Sequence, residues 1–258
     1  MKYLSILIAV AAANLVGGCG ERVESHKLEK REGITYYKGA TRPFTGTAIN
    51  KLNHARTNKH CLAETPYLNG KKHGMRVVHY PDGTKRAETP FVKGVLHGTE
   101  TEYHFTGSKS LETPWVNGQK HGTVITYYPD GSKKFETPYV NDKAHGTEIG
   151  YNMNGSKSSR TPWVDGRRHG KGFAYHLDGS KKSEIPYVDG KKHGTQIDYH
   201  LEGSKSYETP YLKGQKHGTQ LGYSYDGLKF QEAVYKNGRA ISVRNWDEDG
   251  NLILESPF

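Results

Sequence analysis

Apolar residues are scarce in this 258-residue chain: 33% of positions, with two Cys, three Met and three Trp. So small an apolar fraction cannot fill two thick cores, although ~100–200 residues per domain would allow one or two globular units by length. A helical bundle is disfavoured as well, because 31 Gly and 18 Tyr are abundant while Ala and Leu are modest. Signatures of catalysis are missing: there is no Gly-rich phosphate loop, no nucleophile elbow and no His-Glu-x-x-His. A non-enzymatic chain without cofactor or metal is therefore expected. What is plentiful argues against disorder, since aromatic residues make up 11% of the chain.

The amino end reads as an address. Met1-Lys2 precedes an apolar run from Leu4 to Val16, then Gly17, Gly18 and Cys19. That run is too short to cross ~30 Å of hydrocarbon as a helix and has the layout of a signal peptide over residues 1–18. Val16-Gly17-Gly18-Cys19 resembles the lipobox of bacterial lipoproteins. The resemblance implies lipidation at Cys19, an exported chain, and sorting to the outer membrane where the cell has two. Multiple acyl chains on one residue make a stable anchor. Cys61 is then the one remaining thiol, so no intrachain disulfide forms, and a buried inert cysteine is expected there. Residues 19–32 alternate charge without apolar periodicity and read as a solvated tether behind the lipidated cysteine.

From Glu64 onward a 24-residue repeat governs the sequence. His-Gly recurs at His73, His97, His121, His145, His169, His193 and His217, and proline keeps the same step from Pro66 to Pro210. Each unit alternates with period two in two short strands, as in Thr123, Ile125 and Tyr127 against Val124 and Thr126. Asn117-Gly118 and Pro129-Asp130-Gly131 supply the two turns, and Asp142 replaces glycine in one of them. The predicted fold is all-β, an elongated antiparallel meander of repeated hairpins. Seven repeats span 64–233, with an N-terminal cap over 33–63 and a C-terminal cap over 234–258 that has lost His-Gly. The N-terminal cap aligns with the repeats only if four extra residues lie in the stretch Asn50 to Lys59.

The repeated Asn-Gly-x-x-His-Gly, strand, Tyr-x-x-Asp-Gly-Ser-Lys pattern resembles the MORN repeat, in the bacterial variant labelled a YwqK-family antitoxin. The likeness covers about residues 33–258. It implies a single-sheet repeat fold and, as one alternative, an immunity or antitoxin protein that neutralises a secreted toxin. Thr-Pro before the aromatic departs from the family pattern, and proline removes a ladder donor there.

Equivalent residues of successive units lie two strands apart, ~9.5 Å, and form rows. One aromatic row is Tyr67, Phe91, Trp115, Tyr139, Trp163, Tyr187 and Tyr211; another is Tyr103, Tyr127, Tyr151, Tyr175, Tyr199 and Tyr223. Both serve either as a hydrophobic spine or as an open groove for an extended peptide or sugar. The histidine row reads as structural turn residues or a pH-responsive ladder; parallel imidazoles so far apart cannot share a zinc ion with ~2.0–2.1 Å bonds. Lys85 and its equivalents form a basic row, and Glu88 and its equivalents an acidic row broken by Arg160; the two rows are expected to pair along the sheet. Without residues 1–18 the chain keeps 36 Lys+Arg against 27 Asp+Glu. The basic turns Lys71-Lys72, Arg167-Arg168 and Lys191-Lys192 could attract anionic lipid heads, acidic glycans or an acidic protein. The expected object is a monomeric, lipid-anchored scaffold for a protein or envelope polymer, with no nucleic-acid partner.

Overall fold

A computed structural model describes residues 21–53 and 60–257. The signal segment, Cys19 and, of the insertion expected within Asn50–Lys59, all but Asn50–Asn53 lie outside the described residues. The fold is nearly all β: one long meander sheet, whose strands from Gly46 onward pair with sequence neighbours, and a separate two-stranded hairpin, Leu28–Arg31 with Ile34–Tyr37.

Each unit after the first contains a strand of eight residues, a strand of two and a strand of six, as in Lys109–Val116, Gln119–Lys120 and Gly122–Tyr127. The short strands are one strand interrupted by histidine. Trp115 pairs with Lys120 and Glu112 pairs with Ile125, so three steps along one strand are matched by five along the other. The extra two residues are His121-Gly122. The His121 amide donates to the Pro114 carbonyl at 3.0 Å, so the edge of Pro114 that lacks an N–H faces this break. Proline therefore removes a donor where no ladder bond is available, and the opposite edge keeps its Thr99↔Pro114 pairing. A side chain on Gly122, whose φ is 114°, would also meet the Pro114 ring at 3.1 Å.

The two-residue hairpin loop Asn117-Gly118 has φ of 50° and 84°, as a turn matched to strand twist requires. At the other turn, Asp130 Oδ1 accepts from the Ser132 amide at 2.9 Å and from its hydroxyl at 2.6 Å. A β-bulge follows, because Thr126 pairs with Phe135 but Tyr127 pairs with Lys133. The extra residue reverses which face the strand's side chains point to.

The amino end differs from a solvated tether. Arg22–Glu24 is a strand lying parallel to Thr47–Ile49, the one departure from antiparallel order in the meander. Val23, 6% exposed, packs with Phe44 and Ala48, and Leu28, Tyr37 and Tyr67 close around them. Two apolar residues among the charges suffice to fold residues 22–31 onto the cap. Gly46–Asn53 and His60–Leu68 form the long N-terminal hairpin, and Cys61 is fully buried there as a free thiol. At the far end Arg239–Trp246 runs uninterrupted, as loss of His-Gly implies, and Leu252–Pro257 adds the last strand.

Candidate functional site

Directly paired residues point to the same face of a sheet. Trp115 pairs with Gly98, whereas Tyr103 pairs with Lys109 beyond the bulge. The two aromatic rows thus lie on opposite faces, and the expectation that they form one spine or one groove is corrected. All thirteen rings are half-buried, because a single-layer sheet covers neither face with a second layer.

On the first face, rings alternate with cations except at Leu96 and Ala144. Lys120 Nζ stands 5.8 Å from the Trp115 centroid and 5.6 Å from that of Tyr139. Arg168 Cζ lies 5.5 Å from both Trp163 and Tyr187. Lys72 covers Phe91 at 4.8 Å, Lys192 covers Tyr211 at 4.8 Å and Lys216 covers Tyr235 at 4.6 Å. The strand pairing Tyr187↔Lys192 and its equivalents sets this interleaving, and cation–π attraction favours it. Beside the rings, Glu100 accepts from the Trp115 indole and from Thr89, each at 3.0 Å. Thr113 and Thr209 are 2% exposed beneath them. The basic doublets therefore divide: Lys72, Arg168 and Lys192 stand against the rings, while Lys71, Arg167 and Lys191 point to the other face and are exposed.

On the second face, four of the six tyrosines join the Lys–Glu row. Tyr103 donates to Glu88 at 2.6 Å, Tyr151 to Glu136 at 2.8 Å and Tyr199 to Glu184 at 3.1 Å; Tyr127 bonds Glu112. Lys85 reaches Glu88 at 2.6 Å, and Lys133 reaches Glu136 and Lys181 reaches Glu184 at 2.5 Å. Residues three apart on a regular strand face opposite ways; the bulge between them brings Lys and Glu together. Burial and the neighbouring carboxylate push the Tyr103 phenol up to about 12. The Lys181 and Lys171 ammonium groups hold Glu184 down at about 2. Tyr175 and Tyr223 occupy the same positions in their units.

The histidine row lies along one long edge and bridges units. His73 and His97 accept through Nδ1 from the amides of Lys93 and Asn117 at 3.4 and 3.5 Å, and His217 does so from Asn237 at 3.4 Å. His121 contacts Asn141, and His145 and His169 face Asp165 and Asp189 at 3.5 and 3.8 Å. His193 occupies the equivalent position, its amide bonded to Pro186. No group of three His, Cys, Asp or Glu side chains among the described residues is arranged to hold a metal ion.

Sequence reasoning missed a row on the opposite edge. Tyr80 and Tyr128 donate their hydroxyls to the carbonyls of Tyr103 and Tyr151 at 2.9 and 3.0 Å; His104, His176 and His200 reach the carbonyls of Tyr127, Tyr199 and Tyr223 through Nε2. The signal was a Tyr or His directly after the tyrosine or histidine that ends the six-residue strand in five of the seven units, Asn152 and Ser224 being the exceptions.

Residues 120–141 and 168–189 each match the MORN repeat variant family. These two segments are MORN-type repeats. They lie 48 residues apart, two periods, and the MORN-type pattern of turn, His-Gly and strand runs through the other units in the same register. MORN repeats are a binding and scaffold type. A comparison with curated proteins finds no match.

Proposed function

We propose that this chain is an exported, lipid-anchored, non-enzymatic repeat scaffold that holds a protein or other macromolecule at the bacterial cell envelope through its ring-and-cation face. The observation that carries this reading is the recurrence of Trp115–Lys120–Tyr139 as Trp163–Arg168–Tyr187 on one half-exposed face. Repeated half-buried rings offer large contact area at low entropic cost, and interleaved cations select partners with acidic groups. The lipobox-like segment supports Cys19 as the anchor and the outer membrane as the address.

A crosslinking pulldown from the envelope of the native cell tests the reading. The wild-type chain recovers a defined partner, and a Lys120→Ala, Arg168→Ala double variant loses it. Undiminished recovery by the double variant would remove the site from this face. A secreted toxin as the recovered partner would assign the immunity role.

A further inference from the structure

One departure from the repeat concentrates charge at the N-terminal end of the ladder. Four residues after the ring-covering lysine, the sixth and seventh units carry Gln196 and Gln220, which accept from Lys192 and Lys216 at 2.8 and 3.4 Å. The third and fifth units carry Val124 and Gly172 there, and the second and fourth carry Glu100 and Glu148 where Leu96 and Ala144 replace the lysine. In the first unit the residue is Arg76, the one basic residue at this position in the seven units, so Lys72 has a second cation beside it.

The folded-back hairpin then roofs this point. Its Thr35 amide donates to the Gly70 carbonyl at 2.9 Å, and Gly70 donates to Phe44 at 2.7 Å. Between hairpin and sheet lies a cavity of about 480 Å³, lined by Lys30, Lys71, Lys72 and Lys93 beside the Tyr67 ring, with Glu32 as its one carboxylate. None of these lysines, nor Arg76, forms an ion pair among the described residues. Burial, then Arg76, then Lys30 hold Lys72 below the usual lysine range. Neighbouring uncompensated cations repel one another, and a multivalent anion relieves that repulsion.

We propose that this cavity binds a multiply charged phosphate group, with Lys30, Lys72 and Lys93 as its principal contacts and Arg76, outside the lining, adding positive charge beside Lys72. Its amides are already engaged, since Thr35, Gly70 and Gly94 donate to backbone carbonyls; recognition falls to the side-chain cations. The site shares Tyr67 and Lys72 with the repeated face but does not depend on what that face binds.

Isothermal titration of the full chain with tripolyphosphate at low salt tests it. Saturable one-site binding is expected, and Arg76→Glu, which installs the residue found at Glu100, weakens it at least tenfold. Lys236→Gln, at an exposed lysine near the other end, leaves it unchanged. Lys30→Gln, on the exposed hairpin, is the second variant should Arg76→Glu impair folding. Absence of saturation, or equal weakening by Lys236→Gln and the pocket variants, overturns the site. Titration with anionic phospholipid vesicles separates the sources: Arg76-dependent vesicle binding assigns the phosphate to a lipid surface, and tripolyphosphate binding without it assigns a soluble or polymer-borne phosphate.

Discussion

Tyr103 donates its phenolic hydrogen to Glu88 at 2.6 Å across adjacent strands, and Lys85 holds the same carboxylate from the other side at 2.6 Å. Thr101 is the direct partner of Glu88, so Tyr103 reaches it along the diagonal. Hydrogen bonds to charged groups are worth more than neutral ones, and Tyr103→Phe is expected to cost about 1–2 kcal/mol. Chemical denaturation of the wild type and variant measures the difference. Lys85→Ala is expected to cost less, because its ammonium is half exposed and screened.

The two tryptophans of the ladder are not equivalent. The Trp115 indole donates to Glu100, whereas the buried Trp163 Nε1 has no hydrogen-bond partner. Trp115→Phe breaks a charge-assisted bond and is expected to cost about 1–3 kcal/mol. Trp163→Phe loses ring area but releases an unsatisfied donor, and is expected to cost less. Thermal melts of the two variants, side by side, decide it.

Much of this was legible beforehand. The period, the Asn-Gly and Asp-Gly turns and the two strands per unit follow from composition and spacing, because turns need particular φ values and strands alternate. Which face each row occupies was not legible. The bulge before Ala87 and its equivalents inserts one residue and reverses the alternation, and nothing in Lys85-Arg86-Ala87 marks it. Likewise Val23 and Leu28 were hidden among charges, and their burial depends on Phe44, which only the folded cap brings near.

Acid should loosen the array in a defined window. Glu184 titrates at about 2 in the folded chain against 4.5 as its ordinary value. Its folded value is depressed, so the stability it supplies is complete above the ordinary value and is lost as pH falls toward the folded one. The melting temperature is expected to fall from pH 5 to pH 2, and Glu184→Gln to flatten that fall. Melts across this range check the sign; a steeper acid limb in the variant would contradict it.

One turn invites stabilisation. Lys213 holds φ of 51° where Asn117 and Asn237 serve in other units. Left-handed backbone is costly for ordinary residues and tolerated by Asn. Lys213→Asn is expected to stabilise by about 0.5–1 kcal/mol, read as a rise in the denaturation midpoint at unchanged slope.

The central claim is a linear array in which each unit leans on its neighbours. Small-angle scattering of the full chain and of one lacking a single 24-residue unit, residues 141–164, tests it most directly. The shortened variant is expected to fold, with a maximum dimension shorter by about two strand spacings, ~9.5 Å. An unchanged dimension, or loss of cooperative folding, would contradict it.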